Sequence, residues 1–236
     1  MALNNKKSIW SWAMYDFANS AYTTLIVTFV YATYFTKAIA ENEVIGTVLW
    51  ARGVSITAIT VAILSPIMGA FADRGGYRKL FLFIMTYLAV IGSIMLYFTL
   101  PGQVLKALIW FIIGNVAFEI GCVFYNAFLP EIAPTEKIGR VSGYGWSLGY
   151  IGGLFCMGIA MVTLVNPEVP WFGFSKEAGE NIRATNLLVA GWFALFSIPI
   201  FLWVKENNSK TRDTGESVFR TGFIQLANTF REIKKY

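Results

Sequence analysis

The sequence contains no histidine, only two cysteines and few charged residues, which make up 14% of its 236 positions. The lack of histidine excludes a histidine proton relay and disfavours the usual zinc and haem sites, so we expect neither a metal nor a cofactor. Cys122 and Cys156 lie in apolar segments and are interpreted as small packing residues, not as a secreted disulfide framework. Soluble domains carry about 25% charged residues. The shortage of charge therefore excludes the soluble globular class.

Apolar residues make up 56% of the chain, and they fall in blocks. A hydrocarbon core about 30 Å thick requires about 20 such residues in a helix, and each block is long enough to span it. The sequence therefore predicts an all-α, multi-pass integral membrane protein whose first partner is the lipid bilayer. A six-helix bundle over residues 1–204 is expected, with helices at about 12–36, 47–71, 80–100, 105–128, 144–165 and 184–204.

The basic residues are distributed unevenly between the two predicted sides of the membrane. With the amino terminus inside, most of the 19 lysines and arginines fall in cytoplasmic segments. By the positive-inside rule this bias predicts that both termini are cytoplasmic. It also explains the net charge of +5 without a nucleic-acid partner. The few basic residues left outside are Lys37, Arg52, Lys106, Lys176 and Arg183.

Residues 205–236 are predicted to form a cytoplasmic linker. Apolar side chains recur in it at intervals of three and four, which places them on one face of a helix. Basic and amide side chains occupy the other face, as is typical of a helix lying on a membrane surface. The apolar positions are Phe219, Phe223, Leu226, Phe230 and Ile233.

The loop after the second predicted helix matches the major facilitator signature G-x-x-x-[DN]-R-x-G-x-R-[RK] at every defined position. We expect Gly69 to allow a neighbouring helix to approach, Asp73 to cap a helix end or accept from an arginine, and Gly76 to permit a tight turn. The alternative is an ordinary basic turn between two membrane helices. As a candidate gating loop it comprises Gly69, Asp73, Arg74, Gly76, Arg78 and Lys79.

Two predicted helices carry polar stripes at membrane depth, where a charge costs about 2.5–3.5 kcal/mol and normally faces a bundle interior or a watery cavity. We interpret the stripes as walls of a solute path, with Glu119 as the central carboxylate. The alternatives are structural hydrogen bonds between helices and, for Asp16, a carboxylate at the start of a helix. The first stripe is Asp16, Asn19 and Thr23; the second is Asn115, Glu119, Cys122 and Asn126.

Glycines recur every fourth residue in the fifth predicted helix, at Gly145, Gly149 and Gly153. Such a stripe lets another helix pack closely against the backbone. The spacing leaves open whether that helix belongs to this chain or to a partner.

Further segments resemble the vacuole-effluxer, autophagy-related family of the major facilitator superfamily and its bacterial relatives. They are 12–22 (WAMYDFANSAY), 124–131 (FYNAFLPE) and 139–146 (GRVSGYGW). Members have twelve helices, so the resemblance implies that this chain is the amino-terminal half, built from two three-helix repeats. It also implies that helices one and four line a central cavity, that helices two and five face the other half, and that fungal members export amino acids from the vacuole.

The function expected is that of a secondary transporter half, not of an enzyme. It would move a small solute by alternating access and need a carboxy-terminal six-helix half or a second copy. The competing hypothesis is a six-helix protein acting alone, as a homodimeric channel or a non-transporting assembly partner. The membrane would be the inner membrane in a bacterium or the vacuolar membrane in a fungus.

Overall fold

A computed structural model describes the backbone of residues 2–206 and the side chains of residues 6–69 and 76–206. The predicted surface helix after residue 205 lies outside these residues. Within the described residues every regular element is a helix, and short turns and loops connect the helices. Its α-helices are α1 (Ala2–Ala21), α2 (Val30–Tyr34), α3 (Glu43–Gly75), α4 (Arg78–Tyr97), α5 (Val104–Ala127), α6 (Leu129–Ile132), α7 (Ile138–Ala160), α8 (Glu180–Phe196) and α9 (Ile198–Trp203).

Three π-helical segments interrupt or extend these helices. Tyr22–Phe29 joins α1 to α2, Phe35–Ile39 follows α2, and Met161–Val165 continues α7. Residues 2–39 are thus helical without a turn, but they change between α and π hydrogen bonding. The break between α8 and α9 falls at Ser197, just before Pro199, which occupies the first turn of α9. Proline is tolerated there because its missing N–H would have had no partner.

Five stretches of the described chain are long and apolar enough to cross a membrane: Glu43–Gly69, Arg78–Tyr97, Val104–Ile132, Thr135–Val165 and Glu177–Trp203. The all-α membrane class is therefore confirmed. The helices extend beyond several of the predicted segments, because an apolar block reports only the part of a helix that requires lipid.

The bundle contains two close helix pairs. The first is α1 against α7, with α8 and α9 on its flank, and the second is α4 against α5, with α3 beside it. Contacts between α4 and α8 join the two groups. A Cβ atom on Gly92 of α4 would lie 2.8 Å from Cα of Gly114 on α5, so the second pair touches backbone to backbone.

The segment before α8 is held by Arg183, a basic residue that is only 7% exposed. Its guanidinium donates to the carbonyls of Tyr97 at 2.7 Å and Ala178 at 3.3 Å. The hydroxyl of Tyr34 donates to the same Ala178 carbonyl at 2.6 Å, and that of Tyr97 donates to Glu180 at 2.9 Å. These bonds fix one end of the bundle by linking α2, α4 and α8.

Candidate solute cavity

A cavity of about 570 Å³ lies between α1, α5, α7 and the π-helical segment Tyr22–Phe29. Polar groups come mainly from α1 and aromatic rings from all three helices. The lining residues are Trp12, Asp16, Asn19, Ser20, Thr23, Thr24, Phe29, Phe118, Cys122, Tyr125, Asn126, Trp146, Gly149, Tyr150 and Leu154.

The polar stripe predicted on the first helix forms one wall of this cavity. Asp16, Asn19 and Thr23 all line it, since α1 remains α-helical as far as Ala21 and the spacing keeps the first two on one face. Asp16 is half-buried, and within the described residues no side chain or backbone group forms a hydrogen bond or ion pair with it. Asn19 is buried; its amide N–H donates to the Cys122 sulfur at 3.9 Å, and its side-chain oxygen accepts from the Ser20 hydroxyl at 3.5 Å.

The same wall changes helix type at the cavity. Thr23 and Thr24 follow Tyr22 at the start of the π-helical segment, and their hydroxyls both donate to the Ser20 carbonyl, at 3.0 and 2.8 Å. Threonine hydroxyls commonly bond back to a carbonyl three or four residues earlier. They satisfy a carbonyl at the point where the backbone pattern shifts. π-Helical segments are rare and are frequently found at functional sites.

The predicted stripe on the fourth membrane helix, α5, only partly reaches the cavity. Cys122 and Asn126 line it, but Asn115 and Glu119 are not among the lining residues. Asn115 is 4% exposed, and its side-chain oxygen has no hydrogen-bond partner among the described residues. Glu119 is exposed and lies close enough to Tyr22 and Cys122 to act on them electrostatically.

Aromatic stacking fixes α5 against α1 at the cavity floor. Trp12 stacks on Tyr125 with ring centroids 4.5 Å apart, and its indole N–H donates to the Tyr125 carbonyl at 3.0 Å. Tyr15 stacks on the other side of Tyr125 at 4.9 Å and exchanges a hydrogen bond with Thr86 of α4 at 2.8 Å. Aromatic pairs of this kind contribute about 0.5–1.5 kcal/mol each to stability beyond the burial of their surface, and here they hold α5 against α1.

The glycine stripe of α7 packs against α1 of the same chain. A Cβ at Gly145 would lie 2.7 Å from the Trp12 ring, one at Gly149 2.7 Å from the Ser20 hydroxyl, and one at Gly153 2.6 Å from the Thr24 hydroxyl. Of the two possibilities that the spacing left open, the structure shows packing within this chain. The spacing identified the close approach correctly, but it contained no information on which helix approaches.

Aromatic side chains of α7 complete the cavity on its open side. Trp146 and Tyr150 are 63% and 65% exposed, and their ring centroids lie 6.0 Å apart. Sequence reasoning missed both residues, because isolated tryptophans and tyrosines in a membrane helix resemble interface anchors. Their spacing of four, on either side of Gly149, was the available signal.

The loop signature is described only in part, since the side chains of Asp73 and Arg74 lie outside the described residues. Gly76 has φ +65°, a left-handed conformation that glycine adopts without strain and that makes the tight turn before α4. A Cβ added at Gly69 would have no described atom within 4 Å. Close helix approach at Gly69 is therefore not found in the described part of the chain.

The last two residues of the signature bind the loop to other segments. Arg78 forms an ion pair with Glu131 of α6. The Lys79 ammonium donates to the Val204 carbonyl at 2.7 Å. The carboxylate of Glu206 accepts from the backbone N–H groups of both Arg78, at 2.7 Å, and Lys79, at 3.3 Å, and so caps α4. This end of α4 is thus tied to α6 and to the segment that follows α9.

Solved structures with the same fold are major facilitator transporters. The proton:xylose symporter XylE bound to 6-bromo-6-deoxy-D-glucose matches with a TM-score of 0.68 and 16% identity, over 99% of this chain and 53% of that one. XylE from E. coli in an inward-open conformation matches with a TM-score of 0.64 over 96% of this chain and 55% of that one, at 15% identity. These likenesses establish the fold.

Curated relatives agree with this fold. An uncharacterised MFS-type transporter, YxiO of Bacillus subtilis, is 29% identical over 231 residues, which cover 96% of this chain and 53% of that protein. Autophagy-related protein 22-1 of Phaeosphaeria nodorum is 26% identical over 73% of this chain and 37% of that protein. The chain spans about half the length of the curated relatives it matches, or less. The family model described as "Vacuole effluxer Atg22 like" matches residues 41–236, and the chain therefore belongs to this family of major facilitator-type transporters.

Proposed function

We propose that this chain is the amino-terminal half of a secondary transporter that moves a small solute by alternating access. The observation that carries the proposal is the cavity, in which polar groups of α1 and α5 face an open side. In this family of folds a solute site lies between two halves that rock about it. The open side is flanked by exposed apolar residues of α7, among them Ile151, Leu154 and Phe155. A carboxy-terminal six-helix half or a second copy would cover them.

The proposal includes six membrane spans, with residues 2–39 as the first. This stretch begins with polar residues and changes to π-helix at Tyr22. Its longest α-helical run is therefore not apolar enough to be identified as a membrane-crossing helix by itself. Its helical continuity and its burial against α7 and α8 support a span. Both termini would then be cytoplasmic. Reporter fusions at Lys7 and Lys210 test this, and an external location for both would overturn the topology.

Asp16, Asn19, Thr23 and Asn126 would contact the solute, and Glu119 would bind a proton or a cationic part of the solute at another stage of the cycle. Glu119 is exposed, so its carboxylate is free to line a cavity enlarged by a second half. Glu119→Gln keeps the shape but cannot ionise. In the intact transporter it should abolish cation- or pH-dependent uptake without loss of expression. Uptake that is normal at every pH would make Glu119 a structural residue.

The signature loop would act as the gate at the cytoplasmic end. The ion pair of Arg78 with Glu131 and the capping of α4 by Glu206 hold that end together in the present conformation. Opening it requires these bonds to break. Arg74→Ala or Asp73→Ala should therefore slow transport with little change in solute affinity, because no described residue of the loop lines the cavity. A change in affinity alone would contradict the gating role.

Counterflow in proteoliposomes tests the transport function itself. The intact transporter is loaded with one unlabelled solute at a time, beginning with the amino acids that the resemblance implies, and uptake of the labelled form is followed. A carrier gives transient accumulation above equilibrium, because its exchange is faster than its net flux. A channel gives only equilibration. Flux without counterflow would overturn the proposal in favour of the channel hypothesis.

A further inference from the structure

Among the described residues that line the cavity, one is charged, Asp16, and the others are aromatic, aliphatic, small or neutral and polar. No lysine or arginine compensates Asp16 within the described residues. An unpaired carboxylate at membrane depth is costly, so a group that neutralises it gains from binding there. This arrangement favours a cation and repels an anion.

The carboxylate lies directly against the backbone of α7. A Cβ atom at Gly149 would be 3.2 Å from Cγ and 3.3 Å from Oδ2 of Asp16, so the glycine makes room for the carboxylate. Trp146 and Tyr150 stand on the same helix within one turn of Gly149, with their rings exposed to the cavity. Aromatic faces attract organic cations, and tryptophan does so most strongly.

A second, independent group in the wall lacks a partner. Tyr125 lines the cavity and is only 4% exposed, and its buried hydroxyl makes no hydrogen bond among the described residues. Buried polar groups in native proteins are nearly always satisfied. The wall of the cavity therefore contains a polar group that the described residues leave unsatisfied.

We propose that the cavity binds a small organic cation, an ammonium compound whose positive group lies between the Asp16 carboxylate and the rings of Trp146 and Tyr150. The inference rests on the proposed transport function and names its solute class. A hydrated inorganic cation is a poorer fit, because it would use only the oxygen atoms of the wall and would not account for the exposed rings of Trp146 and Tyr150 beside the Asp16 carboxylate. A proton would neutralise Asp16 but would not explain the exposed aromatic faces.

Binding of radiolabelled tetraethylammonium to the full chain in lipid nanodiscs tests the proposal. Competitors are choline and 3,3-dimethyl-1-butanol, which has the same shape with carbon in place of the charged nitrogen. Choline should displace the label, and the neutral compound should not. Asp16→Asn should weaken binding by about tenfold or more, and Trp146→Leu by about fivefold. Tyr150→Leu removes the second ring and should weaken binding by about threefold.

The matched controls are Glu168→Gln and Trp171→Leu, which remove an exposed carboxylate and an exposed indole that do not line the cavity. Neither should change binding. Equal displacement by the neutral compound, displacement by potassium as effective as that by choline, or unchanged binding in Asp16→Asn would each overturn the inference. If Asp16→Asn does not fold, the Trp146→Leu variant and the comparison of choline with 3,3-dimethyl-1-butanol still test the inference. Counterflow of neutral or anionic solutes without cation binding would contradict this inference and leave the proposed transport function intact. Absence of counterflow with every solute would contradict the transport function itself.

Discussion

The two close helix pairs of this bundle both depend on glycine, but they produce different surroundings. Between α4 and α5, Gly92 meets the backbone of Gly114, and the contact is sealed. Between α1 and α7, side chains of α1 and of the π-helical segment that follows it lie over the glycines, among them the Asp16 carboxylate and the hydroxyls of Ser20 and Thr24. Glycines on one helix therefore have two effects. They allow two backbones to touch, or they make room for polar side chains of the neighbouring helix. Only the second leaves a cavity.

The largest loss of stability is expected between α1 and α7, at the position where these two helices also touch backbone to backbone. A Cβ at Gly152 would lie 2.2 Å from the Phe17 carbonyl oxygen, which cannot move without displacing α1. Gly152→Ala should cost about 3 kcal/mol or more, a fall in Tm of roughly 10 °C, and it should abolish solute binding. Thermal unfolding of the detergent-purified chain measures this. A stable variant with normal binding would show that α1 and α7 are loosely packed.

A substitution between α4 and α5 should lower the stability of the protein and leave solute affinity unchanged. Gly92→Ala places a Cβ 2.8 Å from Cα of Gly114 and should cost about 2 kcal/mol. Because neither Gly92 nor Gly114 lines the cavity, any variant that remains folded should retain its solute affinity. Tm and affinity are measured on the same sample. A loss of affinity at unchanged Tm would show that the two pairs are not functionally distinct.

Between α1 and α7, a substitution should lower solute affinity more than stability where the neighbouring side chains can move aside. Gly149→Ala meets the Ser20 hydroxyl at 2.7 Å, and this group can rotate away, so the loss of stability should be only about 1 kcal/mol. The same methyl group displaces the Asp16 carboxylate, so solute affinity should fall by about tenfold, the order expected for loss of a charged contact. Unchanged affinity would show that Asp16 does not act from its position against α7.

The smallest effect is expected at Gly158, which lies on the exposed side of α7 with no described atom within 4 Å of a Cβ. Gly158→Ala should change the free energy of unfolding by no more than about 0.5 kcal/mol, as surface substitutions usually do. It is the matched control for Gly149→Ala and Gly152→Ala on the same helix. A large loss of stability in this variant would reveal a packing partner of that face.

Much of the fold was predictable, because lipid imposes a simple rule on sequence. Long apolar blocks predicted the all-α membrane class, and the loop signature with the neighbouring segments identified the family, as the family model confirms. The residue spacing on α1 correctly grouped Asp16 with Asn19. The spacing on α5 grouped Asn115 and Glu119 with Asn126, but only Asn126 lines the cavity. Periodicity tells which residues share a face, and it does not tell which neighbour covers each part of that face.

The π-helical segment from Tyr22 to Phe29 has a consequence for comparing this chain with its relatives. A π-turn closes its hydrogen bonds one residue later than an α-turn, so it takes up additional residues over the same length of helix. Relatives that remain α-helical here would need fewer residues to reach α2. Their alignment with this chain would require a gap beside Thr23 and Thr24. Without that gap, every residue from Val30 onward in this span would be paired with one that faces a different direction in the relative.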